Sequence, residues 1–113
     1  MKHIIAYIKP HKLSKVTLAL NKVKGLTGMS ALDIKGFGRG RAKEEPHRTV
    51  EDLVDYVPHV KFEIFCKDEL LEEIVSIIQT EAHTGLRGDG KIYICGVSDA
   101  IRISTGERGE VAI

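Results

Sequence analysis

The sequence has few of the residues that build a large aromatic core or a covalent framework. It has no Trp, only 5% aromatic residues, two Cys and three Pro. A disulfide scaffold needs more cysteines and an oxidising compartment. Cys66 and Cys95 each lie in an apolar run and form no CxxC pair, so we expect both to be buried free thiols.

Excess charge and long apolar segments are also missing. The 17 Lys and Arg nearly balance the 16 Asp and Glu, giving a formal net charge of +1. A dedicated nucleic-acid-binding domain is usually strongly basic. Apolar runs fall far short of the roughly 20 residues that span a bilayer, and the N-terminus lacks signal-peptide features. We therefore expect a cytoplasmic protein with no nucleic-acid partner and no membrane-inserted part.

The 113 residues fit one domain, expected to span 1–113. Apolar alternation and helical spacing predict, in chain order, a strand over 2–9, a helix over 12–24, strands over 29–37 and 60–66, a helix over 68–82 capped by Asp68, and a strand over 91–97. Two split βαβ halves in this order predict an α+β, ferredoxin-like βαββαβ sandwich. Its four-stranded sheet would be mostly antiparallel, with both helices on one face.

The other face of this sheet would be bare. Bulky residues such as Tyr7, Phe62, Ile64 and Tyr93 must lie on one face or the other, and the helices cover only one. Self-association through the bare face is the simplest cover.

The segment from Gly38 to about Pro58 separates the two halves and carries no periodicity. Such a long loop in a small domain is uncommon, and it is usually functional or disordered. A plain β-hairpin with a floppy tip is the alternative.

A glycine-rich run, Gly85-x-x-x-x-Gly90-Lys91, superficially matches a phosphate-binding P-loop. Ile92 occupies the place of the magnesium-binding Ser or Thr, and a strand rather than a helix follows. Glycines still allow backbone N–H groups to converge on an anion beside a lysine. A flexible turn with an ordinary lysine is the alternative. Arg102, in the C-terminal tail, could likewise bind phosphate or form a surface ion pair.

Enzyme motifs are missing: there is no GxSxG, no HExxH and no paired Cys and His, and the five histidines are scattered. We therefore predict a binding protein with no catalytic residues and no resident metal.

Several segments together resemble the PII signal-transduction proteins of nitrogen regulation over almost the whole chain. They are Ile8-Lys9-Pro10, Gly28-Met29, residues 35–39, 54–58 and 60–63, and most specifically 84–92 and 102–107. The resemblance implies a homotrimer whose sheets pack at its centre. It also implies adenine nucleotides, ATP or ADP with AMP as a further candidate, in clefts between subunits. A T-loop, about 38–58, would regulate a transporter or metabolic enzyme.

The resemblance also implies the nucleotide-binding residues. They would be Ser30, Gly38, Arg39, Glu63, Phe65, Gly88, Asp89, Gly90, Lys91 and Arg102. The adenine would lie near Ser30, Glu63 and Phe65. The phosphates would meet the glycine loop, Lys91 and Arg39, with Arg102 supplied by the neighbouring subunit.

The chain departs from the family pattern at functional positions. Gly40 replaces the glutamine that helps hold magnesium for 2-oxoglutarate, and His59 replaces the lysine that pairs with its carboxylate. These two changes argue against sensing of 2-oxoglutarate through magnesium. Ser104 replaces a second phosphate-binding arginine. Asp52 and Val50 stand at the positions that are covalently modified in some members, so the usual switches look absent.

Two other readings remain open. A PII-like regulator linked to metal or inorganic-carbon transport would use ligands from the set His47, His59, Glu44, Glu45 and Asp52. A slow ATPase would use Lys91 and Arg39, but phosphoryl transfer also needs a metal and a positioned water.

Overall fold

A computed structural model describes residues 1–36 and 57–113. Its elements are β1 (Lys2–Ile8), a 3-10 turn (Pro10–Lys12), α1 (Leu13–Leu20), β2 (Ser30–Gly36), β3 (Val57–Cys66), a 3-10 turn (Asp68–Leu70), α2 (Leu71–Ala82), β4 (Lys91–Gly96) and a last 3-10 turn (Gly109–Ala112). The four strands form one sheet in the order β2-β3-β1-β4. All three strand pairs are antiparallel. The predicted ferredoxin-like α+β fold is confirmed.

The core lies between the helices and one face of the sheet. Alternation along β1 buries Ile4, Ala6 and Ile8, because successive side chains of a strand point to opposite faces. The matching residues of β3 are Val60, Phe62, Ile64 and Cys66. Each helix contributes residues four positions apart, Val16 and Leu20 from α1 and Ile74 and Ile78 from α2, which is the spacing that places two side chains on one helix face.

The opposite face carries the remaining bulky side chains. The register places Ile5 beside Tyr93, and His3 beside Cys95. Tyr7 and Tyr93 meet edge to face with their ring centroids 6.0 Å apart, and Tyr93 is 49% exposed. The predicted bare face is therefore present in the single subunit.

The two cysteines lie on different faces of the sheet. Both are free thiols, as expected, but only Cys66 is buried, and its burial raises the pKa of its thiol. The expectation that Cys95 is buried is wrong for the subunit, because its position in β4 places it on the face without helices. Apolar neighbours in sequence therefore do not indicate which face a strand residue occupies.

The ends of several elements differ from the prediction. The first helix ends at Leu20 instead of Lys24 because the next residues form tighter turns, in which Val23 N–H donates to Leu20 O at 3.0 Å. Asp68 does not cap the second helix. Its carboxylate instead accepts from the Met1 ammonium at 2.8 Å, and this hydrogen bond lowers the pKa of Asp68.

The third strand begins at Val57, three residues before its predicted start. Residues 57 and 58, which we assigned to the T-loop, therefore belong to the sheet. The rest of that predicted loop, residues 38–56, lies outside the described residues.

The packing of α2 on the sheet predicts the effect of a core truncation. Ile74 is fully buried, so Ile74→Ala should lower the free energy of unfolding by about 2–5 kcal/mol, from lost burial and the cavity left behind. Leu18, which is 64% exposed on α1, provides the control, since Leu18→Ala should change it by no more than about 0.5 kcal/mol. Chemical denaturation followed by circular dichroism measures both. An equal decrease in the free energy of unfolding of the two variants would contradict the assigned core.

Candidate functional site

The loop between α2 and β4 is organised around the carboxylate of Asp89. This carboxylate accepts hydrogen bonds from the Thr84 backbone N–H at 2.9 Å, from the Thr84 hydroxyl, and from Gly85 N–H at 3.3 Å. The Lys9 ammonium, at the end of β1, lies 3.3 Å from Asp89 Oδ1 and donates to Thr84 Oγ1 at 3.1 Å. Lys9 thereby connects the end of β1 to both Thr84 and Asp89, at the two ends of the loop.

These contacts all favour the ionised form of Asp89. The hydrogen bonds from the Thr84 hydroxyl and backbone, followed by those from Lys9 and Gly85, hold the pKa of the Asp89 carboxyl far below its ordinary range. The His83 ring adds a further partner, with Nδ1 3.4 Å from Asp89 Oδ2. Asp89 was predicted as a nucleotide contact, and in the subunit its oxygens serve the loop itself.

Glycine is required in this loop at a position of close backbone approach. Gly90 has φ +103°, and a Cβ placed there would lie 1.7 Å from the Tyr7 carbonyl oxygen. Gly88 also has a positive φ, of 81°. The backbone at Gly90 therefore follows a path that no residue with a side chain could take, and the backbone at Gly88 has a conformation that residues with side chains rarely adopt. Lys91 comes next, as the first residue of β4 and directly opposite Tyr7.

The arrangement resembles an anion-binding turn more than a flexible linker. Backbone N–H groups of consecutive glycine-containing turns can converge on an anion, and the exposed Lys91 side chain adds a cation at the same edge of the sheet. Because the internal hydrogen bonds hold the loop before any ligand arrives, binding would not have to order it.

A second concavity, of about 610 Å³, lies at the other end of the sheet. Its walls come from the turn before β2, from β3 and from the C-terminal tail, and they include Thr27, Gly28, Met29, Ser30, Glu63, Phe65, Val97, Asp99, Ala100, Ile101, Ala112 and Ile113. The three residues that we predicted around adenine, Ser30, Glu63 and Phe65, all line it.

The Phe65 ring forms an aromatic wall of this concavity. One face of the ring stacks on His3, with centroids 4.4 Å apart and an interplanar angle of 12°, and the side chain is 45% exposed. Glu63 forms an ion pair with Lys61 at 3.0 Å, and this hydrogen-bonded partner lowers the pKa of the Glu63 carboxyl. The concavity therefore offers a flat apolar surface beside an ionised acceptor.

Arg102 lies in the tail that follows β4. Its guanidinium donates to the Val111 carbonyl oxygen at 2.9 Å and lies 3.5 Å from Glu107 Oε1. Arg108 is 3.6 Å from Asp99. Within a single subunit Arg102 thus forms the surface ion pair that was its alternative interpretation, and Arg108 forms one as well.

The subunit keeps the two predicted halves of the site apart. Lys91 lies in the row of Tyr7, and Phe65 in the row of His3. These rows are four residues apart along β1, or about 13 Å, and the two residues lie on opposite sides of that strand. Gly38 and Arg39 lie outside the described residues.

Sequence reasoning missed the residues that hold the glycine loop in place. Thr84 and Lys9 were only parts of motifs, yet both contact Asp89. A local signal was available for Thr84, because an Asp near glycines commonly accepts from nearby backbone N–H groups. No local signal exists for Lys9, which is 80 positions from Asp89.

The fold and the site together define a ferredoxin-like domain that carries a candidate anion-binding loop at one sheet edge and a separate concavity with an aromatic wall. The sequence profile of the family "Nitrogen regulatory protein P-II" matches residues 1–107. The chain belongs to this P-II family, whose members are regulators in signal transduction.

The relatives match along their full length. The chain is 46% identical to the nitrogen regulatory protein P-II of Azospirillum brasilense and 46% identical to the nitrogen regulatory protein P-II 1 of Escherichia coli strain K12, with 100% of each chain covered. It is also similar to the crystal structure of Arabidopsis thaliana PII bound to citrate. That match has a TM-score of 0.80 and 38% identity, and covers 99% of this chain and 91% of the other.

Two kinds of feature are absent from the described residues, a cluster of metal ligands and a membrane-spanning helix. Within 1–36 and 57–113, no three His, Cys, Asp or Glu side chains come together as potential metal ligands. None of the helices in these same ranges is long and apolar enough to cross a membrane.

The role of Asp89 predicts a pH-dependent effect of Asp89→Asn. Because the pKa of this carboxyl is lowered in the folded protein, its contribution to stability is complete above its ordinary value of 3.8 and is lost as the pH falls further. The variant should therefore have a lower Tm than the wild type at pH 7, and the difference should shrink as the pH falls below that value. Thermal unfolding between pH 7 and pH 3 measures it.

Asp33→Asn provides the control, since Asp33 lies exposed on β2 and far from this loop in the sheet order. A difference between wild type and Asp89→Asn that stayed constant, or grew, on acidification would contradict the assigned network.

Proposed function

We propose that this protein is a nucleotide-responsive signalling module. It binds ADP or ATP, with AMP as a weaker candidate, in clefts between the subunits of a homotrimer, and it regulates a partner protein through the loop 38–58. The partner belongs to the class of transporters or metabolic enzymes. The observation that carries this proposal is the glycine loop held by Asp89, with Lys91 beside it.

The glycine loop supports the phosphate half of the site. Gly88 and Gly90 both have positive φ angles, so the peptide groups between them adopt orientations that strands and helices do not offer. Lys91 follows at the exposed start of β4. Nucleotide phosphates are polyanions, and this combination of backbone donors and one flexible cation suits them.

The second concavity supports the adenine half. A purine ring can stack on the exposed part of Phe65, as bases do on aromatic side chains. Ser30 and Glu63 face each other across β2 and β3, and their oxygens can accept from the exocyclic amino group of adenine.

The separation of the halves supports a site shared between subunits. Phe65 and Lys91 lie on different rows and different strands of one sheet, so each subunit carries the two halves at a distance from each other. The bare face carries Tyr7 and Tyr93. If a second copy covered this face, the Phe65 half of one subunit would meet the Lys91 half of its neighbour. Arg102 would then exchange its ion pair with Glu107 for a phosphate.

We propose binding without catalysis and without a 2-oxoglutarate site. The Arabidopsis PII was solved with citrate, so one relative accepts a polycarboxylate. In this chain, Gly40 and His59 replace the side chains that the family pattern provides for 2-oxoglutarate. The His59 ring is within hydrogen-bonding distance of the Val57 and Gly88 carbonyl oxygens.

Calorimetry with ADP and ATP tests the phosphate half. Lys91→Ala should weaken binding by roughly ten- to a hundredfold, since a hydrogen bond to a charged group contributes about 1.5–3 kcal/mol. Lys22→Ala, in the exposed turn after α1, is the matched control and should bind as the wild type does. Equal affinity in the Lys91→Ala variant would refute the assignment of this half, and absence of nucleotide binding in the wild type would refute the proposal.

A complementation experiment tests whether two subunits form each site. Phe65→Ala and Lys91→Ala should each abolish tight ADP binding when alone. Equal amounts of the two variants are then unfolded together and refolded as mixed trimers. Roughly a quarter of the clefts should regain tight ADP binding, because one cleft in four combines an intact half from each variant. No regain, with mixed trimers confirmed by native mass spectrometry, would show that both residues act within one subunit, and unchanged binding in the single variants would show that neither residue contacts the nucleotide.

A further inference from the structure

The imidazole of His59 lies between two backbone carbonyl oxygens. Its Nδ1 is 3.3 Å from the oxygen of Val57, two residues earlier on β3, and its Nε2 is 3.4 Å from the oxygen of Gly88 in the glycine loop. His59 thus links the start of β3 to a loop that is 29 positions away in sequence.

The two acceptors decide which form of the ring fits. A carbonyl oxygen can only accept, and a neutral imidazole has one N–H and one lone pair. In either neutral tautomer one nitrogen lone pair faces a carbonyl oxygen. Only the protonated ring, which donates from both nitrogens, satisfies both contacts.

Two groups of charges face His59 among the described residues. On β3, Lys61 lies on the same face and is paired with Glu63 at 3.0 Å, whereas Lys35 on β2 pairs with Pro58 and lies on the opposite face. The other group is the glycine loop that His59 contacts, with Lys9, His83, Arg87, Asp89 and Lys91 in or beside it. Its carboxylate, Asp89, already accepts from Thr84 and Gly85 and is paired with Lys9. A bound phosphate group would therefore add the negative charge that favours a further proton nearby.

We propose that His59 takes up a proton when the phosphates of a nucleotide bind at the glycine loop, so that nucleotide affinity and the tie between β3 and Gly88 both depend on pH. This inference rests on the proposed nucleotide site and adds a regulation to it. By linkage, a ligand that promotes protonation of a group binds more tightly when that group is already protonated.

The His59 contacts also connect the start of β3, which follows the predicted T-loop in the chain, to the site. Val57 is the first residue of β3, and the protonated ring would bind the Val57 and Gly88 oxygens with one side chain. Nucleotide binding and acidification would then stabilise the same arrangement at the end of the loop.

Proton uptake during ADP binding tests the inference. Calorimetric titrations at pH 7 in two buffers of different ionisation enthalpy should show less proton uptake in His59→Gln than in the wild type, while any protonation of ADP itself is common to both. The wild type should bind ADP about three- to tenfold more tightly than His59→Gln at pH 6 and nearly equally at pH 8. His59→Lys, which is charged throughout, should bind with an affinity that does not fall between pH 6 and pH 8.

Two further histidine variants separate the sources of the proton. His11→Gln, in the exposed turn after β1, should take up protons as the wild type does. His83 is the other imidazole beside the glycine loop, and its Nδ1 lies 3.4 Å from Asp89 Oδ2. Loss of the uptake in His83→Gln, with no loss in His59→Gln, would overturn the assignment to His59, and so would identical pH profiles of the wild type and His59→Gln.

A measurement without nucleotide distinguishes this inference from the proposed function. The amide nitrogen of Asp89 is bonded to the Gly88 carbonyl, so its chemical shift should titrate between pH 8 and pH 6 in the wild type and should lose that step in His59→Gln. If the Asp89 amide shift depends on His59 but ADP does not bind at any pH, the proposed nucleotide site is wrong, while the contact between His59 and Gly88 is supported. If ADP binds but neither the Asp89 amide shift nor the proton uptake depends on His59, the role of His59 is wrong and the proposed nucleotide site is not affected.

Discussion

The central place of β1 in the sheet is the constraint on which the rest of the structure depends. It pairs with β3 on one side and β4 on the other, so its alternation sets the character of both faces. Ile4, Ala6 and Ile8 form the floor of the helical core, while Ile5 and Tyr7 leave the other face apolar. One strand therefore contributes to the buried core on one face of the sheet and to the uncovered apolar surface on the other. The same strand ends at Lys9, whose ammonium holds Asp89.

Order in the glycine loop comes from a charged network and not from burial. Asp89 is only partly covered, with 25% of its side chain exposed, so its contacts with Thr84 and Lys9 do not resemble a core ion pair. Their effect is to fix the direction of the backbone through Gly88 and Gly90. A loop arranged in this way can meet an anion with little loss of conformational entropy. A small entropy loss on binding would suit the nucleotide-responsive module proposed above.

Much of the fold could be predicted from the sequence, because its patterns are local. Alternation identified all four strands, and apolar spacing identified both helices within a few residues of their ends. Errors occurred where a side chain had a distant partner or where face assignment required the register. Asp68 has the composition of a helix cap, but the Met1 ammonium lies beside it. Cys95 lies in an apolar run but on the exposed face. The site was predicted as a set of residues, and the way that Thr84 and Lys9 hold it was not.

The ferredoxin-like order of elements, the family and the residue types of the candidate site could all be predicted from the sequence alone, because each of them depends on short local segments. The tertiary structure decided which of those residues meet. It placed Ser30, Glu63 and Phe65 around one concavity, kept them away from Lys91, and brought His59 to Gly88. The physical reason is that such contacts follow from strand register and loop path across the sheet. These are set by the packing of the whole domain, so no local propensity contains them.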